Sequence, residues 1–219
     1  MKRGPKPKEL IKIKWSGNFA YAMGLLATDG CLANDGLLID LTSKDKQQLE
    51  NFMKCVGVRF KIGEKFSGKG NKCLRIQFKN RVFYDFLLSI GFTSAKSKTI
   101  KKINIPEEYF FDFLRGCLDG DGYTYSYWDP RWKSSYMLYV GFVSASKSFI
   151  DWIRKKTKKE LDIWGHVTVV HGKSDYYQLK YAKKESIILL KRIYKEAEVC
   201  LIRKRLKVEH AFVIVGESL

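Results

Sequence analysis

The sequence has few prolines and histidines and contains no long apolar run. Only 4 prolines and 3 histidines occur among 219 residues. His166, His171 and His210 share no common ligand spacing, so a zinc site is not expected. The longest apolar segments, 19–27 and 211–215, are much shorter than the roughly 20 residues that a membrane-spanning helix needs. We therefore expect no membrane partner.

Paired cysteines and acidic residues are also scarce. The 5 cysteines are an odd number, lie far apart and form no CxxC pair, so they predict reduced, mostly buried thiols. Only 23 acidic residues oppose 41 Lys and Arg, which gives a formal net charge of +18 and a pI near 9.6. A protein with this charge attracts polyanions, and nucleic acid is the expected partner.

Residues 1–14 form a basic N-terminal arm without the apolar segment of a signal peptide. We therefore expect an intracellular protein, in the cytoplasm of a prokaryote or in an organelle matrix. The arm is either a solvated tail or a segment that lies on phosphates, and its composition favours neither.

An internal repeat organises the rest of the chain. Segments 22–30 and 114–122 align, with Gly24 matching Gly116 and a second pair, Asp29 and Asp121, each followed by glycine. Both pairs are separated by 92 residues (116 − 24 and 121 − 29). With 45% hydrophobic and 14% aromatic residues, each copy has enough apolar side chains for a core. The spacing predicts one unit at 15–103 and a second at 104–219.

The same order of elements follows both motifs: a hairpin, a strand, an amphipathic helix, a second hairpin, another helix and a basic cluster. In the first copy, the strand is 37–42, the amphipathic helix is 46–56, the second hairpin turns at 68–71 and ends in 74–79, the next helix is 81–90 and the basic residues are 96–102. In the second copy, the corresponding ranges are 136–144, 149–161, the turn 171–175 with 177–181, 183–197 and the basic residues 203–207. Mixed helices and hairpins in this order predict a duplicated α+β fold with pseudo-twofold symmetry.

Each motif is predicted to end a helix at its Asp-Gly step. Ser16 or Asn18 would cap the first helix, and Pro106 would open the second. A carboxylate in the last turn faces the negative end of the helix dipole, which costs about 0.3–1 kcal/mol. If the helices pack side by side, Asp29 and Asp121 create an oxygen-rich, negatively charged site for hard cations. The alternative, two simple helix-ending turns, is disfavoured by the repetition at one spacing.

These motifs resemble those of the LAGLIDADG homing endonuclease family in its single-chain, two-motif form. The resemblance implies that the motif helices form the interface between two antiparallel four-stranded β-sheets, which together make a DNA-binding saddle. It also implies that Asp29 and Asp121 bind Mg²⁺, for which Mn²⁺ or Ca²⁺ would substitute, and that the backbone carbonyls of Thr28 and Gly120 face the ions. The sequence departs from the family at Ala27, where the second copy has the acidic residue Asp119.

The resemblance further places basic or amide side chains around the metal ions. The matching residues are Lys96 after the first copy, Arg203 or Lys204 after the second, and Ser43 or Lys44 at a strand end. By the same resemblance, the protein would cut both strands across the minor groove as part of homing. The chain lacks residues for intein self-splicing, so a free-standing or intron-encoded enzyme is expected.

Two strands carry a candidate surface for reading DNA. In segment 74–79, Arg75, Gln77 and Lys79 alternate with apolar residues, and Gln178 and Lys180 repeat the pattern. Such side chains hydrogen-bond base edges as well as phosphates. A solvated sheet face is the alternative for either strand alone. Additional contacts are expected from a hairpin tip that carries Arg131 and Lys133. The aromatic residues of that hairpin, Tyr123, Tyr125, Tyr127, Trp128 and Trp132, are expected to pack in the core and the hairpin, with contacts to bases as the alternative.

The hypothesis is a monomeric, site-specific endonuclease for double-stranded DNA with a long, pseudo-palindromic or asymmetric target. One alternative is an RNA-binding maturase that assists intron splicing without cleavage. The other is a DNA-binding regulator in which the two acids have only a structural role.

Overall fold

A computed structural model describes residues 10–66, 70, 72–94, 96–172 and 174–219. The first repeat contains α1 (Gly17–Asp29), β1 (Gly30–Leu32), β2 (Leu38–Ser43), α2 (Lys46–Val56), β3 (Ile62–Phe66), β4 (Lys72–Lys79), α3 (Arg81–Ser89) and α4 (Lys96–Thr99). The second repeat, which begins after a 3-10 turn at Glu107–Tyr109, contains α5 (Phe110–Asp119), β5 (Tyr123–Trp128), β6 (Tyr136–Ser144), α6 (Lys147–Leu161), β7 (His166–Val170), β8 (Tyr176–Tyr181), α7 (Lys183–Tyr194) and α8 (Ile202–Val215). The two lists have the same order, which confirms the duplicated α+β fold.

Each repeat contains a four-stranded sheet whose paired strands are all antiparallel. The strand orders are β1-β2-β4-β3 and β5-β6-β8-β7. One face of each sheet is buried by alternate apolar residues, as at Ile39 and Leu41 in β2 and at Leu138 and Val140 in β6. Helices cover these faces, and the opposite faces remain available for other contacts.

The motif helices α1 and α5 lie side by side between the two sheets. A Cβ atom on Gly24 would come 2.1 Å from the carbonyl oxygen of Phe113, and one on Gly116 would come 2.1 Å from that of Tyr21. The two backbones therefore touch at this crossing, which only glycine permits. Small residues at this position thus allow a close pseudo-twofold interface.

The ends of the motif helices differ slightly from the prediction. Ser16 caps α1 by accepting a hydrogen bond from the Phe19 N–H at 3.1 Å, and α1 ends at Asp29. However, α5 ends at Asp119, so that Asp121 lies in the following turn. This turn is wider than the end of α1, because the Gly122 N–H reaches back five residues to the carbonyl of Cys117 at 3.1 Å.

A segment at the end of the second repeat also bonds to the first repeat. The Asn51 amide of α2 donates to the Cys200 carbonyl at 2.9 Å, and the Ile202 N–H donates to the Gln47 side chain at 3.1 Å. Helix α8, which starts at Ile202, is a correction to the prediction of a mere basic cluster at 203–207. Its exposed face carries the apolar residues Leu206 and Val213, so its sequence lacks the amphipathic pattern that would have predicted a helix.

The other element predictions were close to the structure. Helix α2 and strand β6 have the predicted bounds, whereas α7 is shorter than the predicted 183–197. Residues 1–9 of the basic arm, 68, 69 and 71 of one predicted hairpin, and 173 of the other lie outside the described residues. The boundary predicted between 103 and 104 falls between α4 and the 3-10 turn and stays a prediction. Over the described ranges, no helix is both long and apolar enough to cross a membrane.

Candidate active site at the paired helix ends

The C-terminal ends of the two motif helices meet directly. A Cβ atom on Gly120 would lie 2.0 Å from the Thr28 hydroxyl oxygen and 2.6 Å from the Asp29 Oδ2 atom. The end of α5 thus contacts the end of α1 at Thr28 and Asp29, which the resemblance assigns to the metal site. Burial, and then the negative charge of Asp121, raises the pKa of the Asp29 carboxyl to about 6. Asp29 is therefore partly desolvated, and the exposed Asp121 lies close enough to act on it.

Gln48, which the sequence analysis did not select, holds the Asp29 carboxylate. Its amide nitrogen donates to Asp29 Oδ2 at 2.6 Å, and its amide oxygen accepts from the Ser43 hydroxyl at 2.8 Å. The Ser43 oxygen in turn accepts from the Asp45 N–H at 3.0 Å. This chain of hydrogen bonds fixes the carboxylate in place and opposes the rise in its pKa. It also buries Ser43, whereas Lys44 is exposed, and contact of either residue with DNA stays a prediction.

A sequence signal for Gln48 did exist. Asp45 caps α2, and Gln48 occupies the third helical position, where a glutamine ordinarily returns to the cap N–H. Here Ser43 accepts from that N–H, which leaves the Gln48 amide free to reach Asp29. In the second repeat, α6 is capped by Ser146 and the matching third position is the buried Phe149. The two halves of the site are therefore not equivalent.

Two lysines satisfy the carbonyl oxygens that the motif helices leave unpaired. Lys96 donates to the carbonyls of Ala27, at 2.8 Å, and Thr28. Lys204 donates to those of Leu118, Asp119, Gly120 and Gly122 at distances from 2.6 to 3.0 Å. Both lysines are buried, and burial lowers the pKa of each, to about 8 for Lys204. They place two positive charges beside the paired carboxylates.

Lys204, and not Arg203, is the counterpart of Lys96. The Arg203 guanidinium instead forms an exposed ion pair with Asp45, with Nε 2.6 Å from the carboxylate. The alternative that placed Arg203 beside the metal ions thus differs from the structure, because successive residues of a helix point in different directions.

Asp119, the acidic residue that the first copy lacks, has structural contacts. Its Oδ2 atom accepts from the Tyr21 hydroxyl at 2.8 Å and from the Leu201 N–H at 2.6 Å. Burial raises its pKa, while both hydrogen bonds lower it. Asp119 therefore joins α5 to α1 and to the start of α8. The matching Ala27 is buried without such a requirement.

The donors at the helix ends fit a hard divalent cation. Asp29 and Asp121 both act electrostatically on Lys96 and Lys204, which donate to the carbonyls of Thr28 and Gly120. Each of these two carbonyl oxygens keeps a second lone pair. Within the described part of the chain, no three His, Cys, Asp or Glu side chains cluster as metal ligands. A site with only two carboxylates suits Mg²⁺, which keeps several waters and takes further oxygens from substrate phosphate.

Most of the side chains predicted to face DNA project from the uncovered sheet faces. Arg75, Gln77 and Lys79 alternate with the buried Ile76 and with Phe78, as predicted. Gln178 and Lys180 are partly exposed on β8 and alternate with a buried leucine and tyrosine. At the tip of the β5–β6 hairpin, Arg131 pairs with Asp129 at 3.1 Å, and Lys133 is exposed.

The aromatic residues of the same hairpin contact one another within the hairpin, as predicted, but most of them are not in the core. Tyr125 and Tyr127 are each 42% exposed, and Trp132 is 69% exposed. They project from the uncovered face or the hairpin tip because the other face of β6 already supplies the buried residues of the sheet.

Comparisons with known proteins identify the fold. No protein-family model matches the sequence, and no curated protein matches it. Among solved structures, the homing endonuclease I-WcaI bound to its DNA recognition sequence has a TM-score of 0.58 at 14% identity, and the match covers 95% of each chain. The homing endonuclease I-DmoI, solved with DNA and Ca, has a TM-score of 0.56 at 12% identity, over 89% of this chain and 97% of that one.

A protein that is not named as an endonuclease shares the same architecture. Full-length WhiA from Thermatoga maritima has a TM-score of 0.54 at 13% identity, and the match covers 94% of this chain and 71% of WhiA. Similarity at 12–14% identity shows the fold alone. The chain has the LAGLIDADG homing endonuclease fold in its single-chain form, with two repeats and two motif helices.

Proposed function

We propose that the protein is a metal-dependent, site-specific endonuclease for double-stranded DNA that acts as a monomer. The observation that carries this proposal is the direct contact of the two motif-helix ends, which brings Asp29 beside Gly120 and within the influence of Asp121. A merely structural pair of helix-ending turns does not require two carboxyl groups this close together, the partly buried Asp29 and the exposed Asp121. Their mutual repulsion is relieved when cations bind between them.

Asp29 and Asp121 would hold the divalent ions, with backbone oxygens of Thr28 and Gly120 available nearby. When bound, such ions activate water and neutralise charge on the scissile phosphate. Gln48 orients the Asp29 carboxylate through its 2.6 Å hydrogen bond. Lys96 and Lys204 place positive charge where a phosphate would approach, and their buried ammonium groups are held by helix carbonyls. No side chain of the site needs to act as the nucleophile.

The two sheets would hold the duplex on either side of these acids. Their uncovered faces carry Arg75, Gln77, Lys79, Gln178 and Lys180, which are able to contact base edges and phosphates. The net charge of +18 supports binding to the phosphate backbone, with the salt dependence that counterion release imposes. A long target that spans both repeats follows from this arrangement.

Cleavage of a randomised plasmid library in Mg²⁺, followed by sequencing of the cut ends, tests the proposal. We expect one preferred site, which Asp29→Asn and Asp121→Asn no longer cut although both variants still bind it. Asp85→Asn is the matched control, because Asp85 lies on the exposed surface of α3 and pairs only with Arg81 in the described structure. If no library member is cut and Asp29→Asn behaves like the natural protein in every assay, the endonuclease proposal is wrong.

The same experiment separates the two alternatives. WhiA has this fold without being named an endonuclease, so a regulator that binds DNA without cutting it is the second candidate. Selective duplex binding without cleavage would support that candidate. Tighter binding to structured intron RNA than to any duplex would instead support the maturase.

A further inference from the structure

The uncovered face of the second repeat carries four neighbouring tyrosines, three of which are stacked. Tyr123, Tyr125 and Tyr127 alternate along β5, and Tyr139 lies opposite Tyr125 in the strand register of β6. The ring of Tyr125 is 4.9 Å from that of Tyr139 and 6.1 Å from that of Tyr127, with interplanar angles of 17° and 2°. We refer to these four residues as the tyrosine ladder.

Residues of the two neighbouring strands hold the ladder in place. A Cβ atom on Gly141 would come 2.2 Å from the ring of Tyr123, so this ring lies directly over the backbone of β6. On the neighbouring strand, the Lys180 ammonium is 5.1 Å from the centre of the Tyr139 ring. The rings are thereby fixed before any ligand binds, which reduces the entropy lost on binding.

Stacking determines which part of each ring a ligand can reach. Tyr125 has ladder neighbours on two sides, and the Tyr139 face is also approached by Lys180. A single-stranded base needs an open ring face on which to stack. Because these faces are occupied, the ladder offers ring edges and hydroxyls instead. This geometry fits the wall of a duplex groove better than an unpaired base.

The side chains around the ladder further restrict which chemical groups it can contact. The outward side chains of β5 and the facing part of β6 are the ladder tyrosines and Met137, and none of them is charged. In the major groove, the C5-methyl of thymine is the apolar group that base pairs present to a protein. The ring edges of the ladder therefore match this methyl group, while the tyrosine hydroxyls are able to hydrogen-bond neighbouring base edges or phosphates.

The first repeat has a different surface at the matching position. Counting back from the strand ends Ser43 and Ser144, Gly141 corresponds to Asp40. The Asp40 carboxylate lies 3.6 Å from the Arg75 guanidinium and 3.4 Å from the Gln77 amide. This face thus carries a polar network rather than rings.

We infer that the tyrosine ladder reads one half of the target through thymine methyl groups, whereas the first repeat reads the other half through hydrogen bonds. This inference rests on the proposed binding of duplex DNA and adds the chemistry by which each half-site is recognised. It makes the target asymmetric in composition, with thymines required in the half that faces β5 and β6.

The test replaces each thymine of the selected target in turn with deoxyuridine, which removes only the C5-methyl, and measures duplex affinity. We expect about a fourfold loss for each contacted thymine, as for one buried CH₂ group, with these positions confined to one half of the target. Tyr125→Ser should abolish the loss, while Tyr125→Phe, which keeps the ring, should preserve it. Gln77→Ala is the matched control on the other sheet and should also preserve the loss.

Several outcomes would overturn the inference. Equal tolerance of deoxyuridine in both halves, or an unchanged penalty in a folded Tyr125→Ser protein, shows that the ladder does not read methyl groups. Circular dichroism confirms folding of that variant, which alters a side chain that is 42% exposed. Tighter binding to single-stranded RNA than to duplex, lost in Tyr125→Ser, would instead identify a stacking surface. If no duplex binds selectively at all, the proposed function fails as well.

Discussion

A single added methyl group at the crossing of α1 and α5 should both destabilise the protein and impair its function. In Gly24→Ala the new Cβ would lie 2.1 Å from the Phe113 carbonyl oxygen, whereas ordinary contacts begin near 3.4 Å. The backbones must therefore separate by about 1.3 Å, the difference between these two distances. Overpacking of a core costs about 1–3 kcal/mol, and the upper end applies here because the obstructing atom is backbone.

Urea denaturation followed by circular dichroism measures this cost. We expect the free energy of unfolding to fall by about 3 kcal/mol in Gly24→Ala and by a similar amount in Gly116→Ala. Gly63→Ala is the matched control, because the nearest atom to its new Cβ is the Cγ of Arg75 at 4.0 Å. The control should unfold within about 0.5 kcal/mol of the natural protein.

The same separation moves Asp29 away from Gly120, so cleavage should decrease even where the variant remains folded. A displacement of about 1 Å in a catalytic arrangement costs roughly 100-fold in rate. The reasoning is refuted if Gly24→Ala is as stable as Gly63→Ala, since the helices would then not be in contact. Normal cleavage by a destabilised Gly24→Ala protein would contradict only the link between the crossing and catalysis.

The remaining predictions concern the side chains around the helix ends. Lys204→Met removes the donor for four carbonyls and should lower the free energy of unfolding, measured in urea, by about 3 kcal/mol. Lys96→Met leaves two carbonyls without their donor and should cost less. An equal loss in both variants would contradict this order. Gln48→Leu should reduce cleavage by about 10- to 100-fold with little change in thermal midpoint, because Asp29 loses its positioning bond. Normal cleavage kinetics in that variant would disprove the positioning role. Arg203→Ala should change stability by less than about 0.5 kcal/mol, since its ion pair with Asp45 is exposed, and a loss above about 1 kcal/mol in urea titration would argue otherwise.

The sequence alone predicted the features that depend on local periodicity and on repetition. The bounds of α2 and β6, the alternation along β4 and the pairing of Gly24 with Gly116 in two repeats all follow from the spacing of residue types. The resemblance predicted that the ends of the two motif helices meet, and in the structure this contact lies at Gly120. The roles proposed for the two acids stay predictions.

Features that depend on contacts distant in sequence could not be predicted. Gln48 reaches Asp29 only because Ser43 accepts from the N–H that the glutamine would otherwise bind. Only the direction in which each side chain leaves α8 shows that Lys204, and not Arg203, lies beside the helix ends. The exposure of Tyr125 likewise depends on which face of β6 is covered, and aromatic content does not specify that face.

The bonds between the tail of the second repeat and α2 make the halves of this molecule non-interchangeable. A chain assembled from two first repeats would present Asn51 and Gln47 twice but would lack the backbone of Cys200 and Ile202 that they bind. Such a symmetric reconstruction would leave the buried Asn51 amide with its 3.3 Å hydrogen bond to the Tyr21 hydroxyl alone. Exchange of one half for the other would therefore cost the chain these bonds, although the two halves share one order of helices and strands.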